Sequence, residues 1–469
     1  MAGKYLICEG ADSVALFESE EVEKAWAILF ADKERTFSVV QISPAVRVAL
    51  GEKLGMHSGE DCMGKIATAL CAMGANAVVD TAISSDVVTL LEAKTLLSRK
   101  ENGETKPLFS SKCVAIADYL RAKYPDIDVS SAASENAVNG ALLKEYYKKQ
   151  TGKTVRIISV EPCKAKKFLE NVDTVITANE LELMLGEVEE VGVSVRTLKK
   201  RALDIPFGVA SGAAYVCDKS GGASEAIVRC LSKDKSASFV QKLSYAGFYG
   251  LKERREVKME IDGKVWKFAI VCGMEAAEAL IKDVREGKVF YDYVEICACD
   301  GGCVCGTDLP EADSVQARLR AKGLQAMDAK RTARAADVNA AALDAKKRYE
   351  AWLRKKEAGL LEPETDVEPV ELKEELLPEE EPSIDALIDT AEIEKVIEET
   401  VEEPAEEVVE IAVAEVAEEV AVELDTESEE LEEDDLEELT EEQKRNPYYR
   451  RMSKKDRRKK KRANKKNNK

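Results

Sequence analysis

Four thiols fall within nine residues in the segment Cys297-Ala298-Cys299-Asp300-Gly301-Gly302-Cys303-Val304-Cys305, a density that packing does not explain. Thiolates are ligands for soft metals, and a Gly-Gly pair lets the backbone fold tightly around an inorganic core between Cys299 and Cys303. Cys163 follows a short apolar run and Glu161-Pro162. Cys113 stands at the start of a predicted helix, where free backbone N–H groups favour a negatively charged cluster. The chemistry indicated is metal ligation by thiolate, with zinc competing against an iron–sulfur cluster. Cys8, Cys62, Cys71, Cys217, Cys230 and Cys272 lie on apolar or helical stretches and read as inert core fillers. With a single histidine, His57, the chain has almost no imidazole for zinc hydrolase or Ser-His-Asp chemistry, so thiolates and carboxylates must carry any metal.

Strands are needed to aim these thiols. Phe37 to Ser43 is a β-branched run ending at Pro44, and Lys65 to Met73 has helical spacing until Gly74 stops it. Further strands are predicted at Ala77 to Thr81, Val155 to Val160, Thr174 to Thr177 and Tyr291 to Ile296. Helices are predicted at Val114 to Lys123, Ala137 to Lys149 and Met274 to Glu286. Asn179, with Glu182 three residues on, reads as a capping box opening another helix. Glu256 to Val271 reads as a hairpin turning at Asp262-Gly263. The alternation predicts an α/β fold, and both cysteine clusters then lie just past the carboxyl ends of strands, where open α/β sheets gather their ligands.

The net charge of −21 belongs to one end of the chain. Residues 362–442 hold 37 acidic side chains against two lysines, residues 444–469 hold 15 basic ones against Asp456, and residues 1–361 carry 52 of each sign. Four segments follow: a core over 1–306, a helical extension over 307–361 packing on its surface, an acidic segment over 362–443 and a basic tail over 444–469. The last two are expected to be disordered, because they cannot bury enough apolar surface to offset the entropy of ordering. Pro447-Tyr448-Tyr449-Arg450-Arg451 and the lysines after it have the composition that attracts phosphate backbones, but the acidic neighbour screens them, so a solubility or protein-docking tail is preferred over nucleic-acid binding. Met1 to Ala11 lacks the pattern of a secretory signal, which favours reduced cysteines in a cytoplasm, and no apolar run is long enough to span a bilayer.

These residues resemble the catalytic domain of the iron-only (FeFe) hydrogenases. Glu161-Pro162-Cys163-Lys164-Ala165-Lys166 is similar to the family's Met-Pro-Cys-x-x-Lys, Val294 to Gly306 to its Glu-x-Met-Ala-Cys-x-x-Gly-Cys, and Ser110-Ser111-Lys112-Cys113 to its Thr-Ser-Cys-Cys-Pro. Ser43-Pro44-Ala45, Gly64 to Leu70 and Ala210-Ser211-Gly212 agree in order. The resemblance implies a two-lobed α/β core with the cluster between the lobes. It implies a 4Fe-4S cubane on Cys113, Cys163, Cys299 and Cys303, with Cys303 bridging to a diiron subcluster. Lys166 would hydrogen-bond a cyanide of that subcluster, and Pro44, Ala45, the stretch Ser134 to Asn136 and Cys297 would line its pocket. Hydrogen and protons would be the substrates, a ferredoxin-like protein the electron partner, and maturation proteins the source of the diiron unit.

The departures from the pattern concern proton delivery. Lys112 stands where the family has its proton-delivering cysteine, and with an ordinary pKa near 10.4 a lysine is a poor relay unless burial depresses it. Glu92 aligns with one glutamate of the proton path, Thr95 replaces the other, Glu161 and Cys297 replace two methionines, and Leu169 replaces the glutamate closing the lysine motif. Slow or sensory hydrogen chemistry is the expectation. The alternative is a non-catalytic iron–sulfur protein for cluster assembly or electron transfer that carries only the cubane.

Overall fold

The computed structural model describes residues 20–167, 170–190, 195–250 and 252–361. The expectations for Met1 to Ala11, Cys8, Leu169 and the charged segments 362–443 and 444–469 fall outside those residues. Near-continuous apolar strands form parallel sheets with both faces covered, and the first half of the chain follows that rule. There β1 (Thr36–Ile42), β2 (Ala77–Asp80), β4 (Thr154–Glu161) and β5 (Thr174–Thr177) form an all-parallel sheet in the order β2-β1-β4-β5. Alternate residues of β1 serve opposite faces: Val40 and Ile42 pack with Ile66, Leu70 and Val78, while Val39 packs with Ala77, Leu143 and Ile157. The chain runs outward from β1 to β2 on one side and on to β4 and β5 on the other, so the order reverses between β1 and β4. Ligand crevices of open α/β sheets lie at the carboxyl ends beside such a switch point.

The second sheet has the order β3-β8-β7-β6, from β3 (Leu108–Phe109), β6 (Arg254–Ile261), β7 (Lys264–Cys272) and β8 (Tyr293–Cys297). Its β3–β8 and β8–β7 pairs are parallel and its β7–β6 pair is an antiparallel hairpin. Asp262 and Gly263 both take positive φ, 48° and 77°, which is the twist a two-residue hairpin turn requires. One face of the sheet buries Trp266, Phe268, Ile270 and Tyr293, and the other buries Phe109, Val271, Val294 and Ile296. Helix Ala82–Glu101 is buried along most of its length and contributes to two cores, Val87 and Val88 to one formed between helices and Ala93 and Leu96 to the one beside the second sheet.

Two expectations are corrected. Helix Ala178–Glu190 is capped by Thr177, not Asn179: Glu180 Oε2 accepts from Thr177 N at 2.7 Å and Thr177 Oγ1 accepts from Glu180 N at 3.2 Å. The last residue of β5 supplies the hydroxyl, so the reciprocal box sits two residues earlier and places Asn179 inside the first turn. The helical extension, Ser314–Ala329 and Ala340–Glu357, does not simply lie on the surface. Arg320 is fully buried, with its guanidinium on Glu52 at 2.7 and 2.6 Å and on the carbonyls of Val304 and Pro310 at 2.9 and 2.8 Å. Among the described residues no helix is long and apolar enough to cross a membrane.

Candidate metal centre

Each expected ligand leaves the carboxyl end of a strand. β4 ends at Glu161 and delivers Cys163, which precedes a 3-10 turn over Lys164–Lys166. β8 ends at Cys297 and delivers Cys299 and Cys303. After β3, Cys113 is the extended residue capping helix Val114–Lys123, so its sulfur stands at the positive end of the helix dipole, as its position before the apolar run implied. Cys113, Cys163, Cys299 and Cys303 are all half-buried. Cys163 and Cys303 both lie within electrostatic reach of Cys113, and burial pushes the Cys163 thiol up to about 11. Among the described residues no three His, Cys, Asp or Glu side chains close on a point that one ion could fill.

Backbone packing locks the loops together. Gly302 has φ of 91°, and a Cβ there would meet Ser220 N at 2.5 Å and the Lys219 carbonyl carbon at 2.8 Å. A Cβ on Gly306 would meet Pro162 O at 2.3 Å. The close approach of Gly306 to Pro162 brings the Cys303 loop against the Cys163 loop, and Asp308 fastens it: Asp308 N donates to Pro162 O at 3.1 Å, and Lys164 N donates to Asp308 Oδ2 at 3.2 Å. The Asp218–Ser220 segment braces the other side through Val304 N on Asp218 O and Ser220 N on Gly301 O.

Beside these loops lies a buried chain of charges. Lys112 Nζ is 2.8 Å from Asp218 Oδ1 and 2.9 Å from Glu135 Oε1. Lys166 Nζ is 2.9 Å from the same Glu135 oxygen, 3.1 Å from Glu161 Oε2 and 3.2 Å from Asn136 Oδ1. Lys166, Glu135, Glu161 and Asp218 are each at most 2% exposed. Taking such groups out of water costs several kcal/mol per ion, which only close pairing returns. Burial opposes the charge on both lysines, but for Lys112 the attraction of Asp218 and Glu135, and for Lys166 that of Glu135 and Glu161, prevails and holds each ammonium protonated well above its ordinary range. Burial likewise opposes charge on Glu135, and the two flanking ammonium groups overcome it, keeping its carboxyl well below the usual carboxylate range. In Glu161 burial wins and raises the carboxyl. The network abuts the fourth expected ligand, since Asp218, Lys166 and Lys112 all act on the Cys303 thiol.

The other expected site residues have definite places. Ala45 N, in the turn that Pro44 opens, donates to Asp218 Oδ2 at 2.8 Å, so both border the network. Ser134 caps helix Glu135–Thr151 by accepting from Ala137 N, and its hydroxyl thus serves the helix. Glu92 accepts from Ser111 N at 2.9 Å, Ser111 Oγ at 3.0 Å and Tyr293 Oη at 2.5 Å, and so holds the turn before Cys113. Thr95 is exposed and bonds the Leu91 carbonyl of its own helix at 3.0 Å. A cavity of only about 10 Å³ remains between Glu92, Lys112, Glu135 and Cys217, room for about one water.

Two residues important to this arrangement, Asp218 and Cys272, were missed in the sequence, and Glu135 was placed at the pocket without its role. Glu135 is the hub of the network and Asp218 its far end; the signal for Asp218 was a charged pair, Asp218-Lys219, lodged between an apolar run and Gly221-Gly222. Cys272, expected to be an inert filler, lies opposite Cys297 in the β7–β8 register with its sulfur 2.9 Å from Ser220 Oγ. Its hydrogen bond with Cys297, aided by Ser220, lowers the Cys272 thiol to about 6 and raises that of Cys297.

Residues 36–307 match the family model described as iron only hydrogenase large subunit, C-terminal domain. The chain is 29% identical over 318 residues to iron hydrogenase 1 of Clostridium pasteurianum, covering 64% of this chain and 54% of that one. It is also 29% identical over 328 residues to the cytosolic Fe-S cluster assembly factor narfl of Danio rerio, covering 63% of this chain and 78% of that one. The fold is similar to a solved variant of [FeFe]-hydrogenase HydA1 from Chlamydomonas reinhardtii, with TM-score 0.57, 26% identity and coverage of 70% of this chain and 94% of that one. The chain thus spans about half the length of the curated hydrogenase it matches, and its relatives include both hydrogenases and cluster-assembly factors.

Proposed function

Given that the chain belongs to the family defined by the C-terminal domain of the iron-only hydrogenase large chain, we propose that it holds a 4Fe-4S cubane on Cys113, Cys163, Cys299 and Cys303 and works as a cluster-bearing protein without hydrogen activation. The cubane, when bound, supplies one-electron redox chemistry. The four thiolates hold it at the meeting of the two sheets, and the ammonium groups of Lys112 and Lys166 place fixed positive charge beside Cys303, which offsets the negative charge of a thiolate-ligated cluster.

One observation carries this reading: the Asp218–Lys112–Glu135–Lys166–Glu161 network stands where the resemblance expects the diiron subcluster. Those residues do not fit that group. Lys166, expected to donate to a cyanide, is committed to Glu135, Glu161 and Asn136. Three carboxyl groups, those of Glu135, Glu161 and Asp218, stand where anionic ligands would have to be received, and burying such ligands beside them is costly. Lys112, held charged by two carboxylates, is unsuited to passing protons. The maturation proteins and the hydrogen substrate expected from the resemblance have no place in this reading. A soluble redox or cluster-accepting protein, acting in the cytoplasm, remains its partner.

The test is hydrogen evolution from reduced methyl viologen by protein expressed together with the hydrogenase maturation machinery. The expected result is no turnover above the cubane-only protein, with a one-electron signal in electron paramagnetic resonance on reduction. Turnover that depends on the maturation machinery would overturn the reading.

A further inference from the structure

A second cavity, of about 280 Å³, lies on the far side of the Asp218–Ser220 segment from the ion network and is bordered by helices Gly222–Leu231, Ala237–Ser244 and Ser314–Ala329. Lys219 reaches into it. Its residue is 4% exposed, its Nζ lies 3.3 Å from the centre of the Tyr249 ring, and that ammonium has no hydrogen bond or ion pair among the described residues. The other charges of the cavity are already matched. Arg229 donates to Glu225 Oε1 and, at 2.9 and 2.8 Å, to the two oxygens of Asp328; Arg334 donates to the same Asp328 at 2.6 and 2.8 Å; Tyr249 Oη donates to Glu225. Three cations therefore face two carboxylates, and Lys219 is the one left without a counter-ion. A buried, unpaired ammonium is costly, and its ring contact with Tyr249 compensates only part of that cost.

We propose that this cavity is a binding site for a small organic monocarboxylate, whose carboxylate pairs with Lys219. The excess of a single positive charge matches a monoanion, whereas a dianion such as sulfate would bring a second negative charge that no cation of the cavity is left to match. Gln241, Ser244 and Gln325 also line the cavity and supply hydrogen-bonding groups for a hydroxyl or keto substituent. The volume is near the lower end of ordinary ligand pockets, which restricts the ligand to a few carbons.

Burial lowers the Lys219 amine to about 7; Glu225 and Asp328 oppose the shift and Arg229 adds to it. Arg334 and Tyr249 complete the groups facing it. A bound carboxylate favours the protonated amine, so affinity should weaken by about tenfold per pH unit above 7.

Titration calorimetry of the cluster-loaded full chain with acetate, lactate and pyruvate tests the site, with sulfate as the control anion. Saturable binding of at least one carboxylate is expected, weakening between pH 6 and 8.5 and lost by at least tenfold in Lys219→Met. That variant removes an unpaired buried charge, so its thermal midpoint should match or exceed the parent's, and Tyr249→Phe should retain binding. No saturable binding by any of the three carboxylates would overturn the proposal. Binding unaffected by Lys219→Met, or sulfate binding as tightly as the carboxylates, would do the same.

Discussion

At the scale of single residues, the account separates cysteines that should hold iron from those that should not. Serine at Cys113, Cys163, Cys299 or Cys303 should each reduce bound iron and labile sulfide and bleach the charge-transfer absorbance, whereas Cys305→Ser, in the same loop, should leave both near the parent's values. Equal losses at all five positions would refute the ligand assignment. Glu135→Gln removes the carboxylate shared by two buried ammonium groups, and leaving buried charge short of a partner costs about 3–5 kcal/mol. A lower urea midpoint with an unchanged slope is the expected outcome. The thiols were legible in the sequence because their density and Gly-Gly spacing are local. The pairing role of Glu135 was not, because it meets Lys166 from 31 residues away and Lys112 from 23, and neither separation has a local signature.

Elements position these residues through a few contacts that single substitutions can probe. Gly302→Ala would force a Cβ to within 2.5 Å of Ser220 N at a φ few side chains adopt, so the loop should shift and cluster content fall by more than half, with far-ultraviolet circular dichroism preserved. Arg320→Met would strand Glu52 and the carbonyls of Val304 and Pro310. It should lower stability by about 3–5 kcal/mol in denaturant titration and speed the loss of iron to a chelator, since Val304 sits in the cysteine loop. Helix Val114–Lys123 and strand Thr174–Thr177 were legible in the sequence to the residue, because their periodicity and end signals are strong. The cap at Thr177 was misread because two overlapping pairs, Thr177 with Glu180 and Asn179 with Glu182, carry the same signature, and only the end of β5 decides between them. The reach of Ser314–Ala329 into the core was hidden because two of its four buried residues, Arg320 and Asp328, are charged, which composition assigns to the surface.

Among the described residues, distant segments are tied together by buried polar side chains as much as by the apolar cores. Asp86, fully buried on helix Ala82–Glu101, accepts from Ser211 N at 2.7 Å and Ser211 Oγ at 2.6 Å and contacts Asn339, joining three distant segments. Burial raises its carboxyl to about 7 against those hydrogen bonds. Because the folded value lies above the unfolded one of about 3.9, the stabilising contribution is complete below pH 4 and is lost as pH rises through 7. Asp86→Asn should flatten the stability profile between pH 4 and 7, by up to about 4 kcal/mol at the alkaline end, and parallel profiles for parent and variant would contradict that assignment. At this scale the α/β class and the strand-end placement of the thiols were legible in the sequence. What was not legible is that the space beside the cysteines is closed by ion pairs drawn from four separate segments. That closure is the central claim, and infrared spectroscopy of anaerobically purified protein, expressed with the hydrogenase maturation machinery and analysed for iron, tests it most directly. The account expects four irons per chain and no bands from iron-bound carbonyl or cyanide; six irons together with those bands would contradict it.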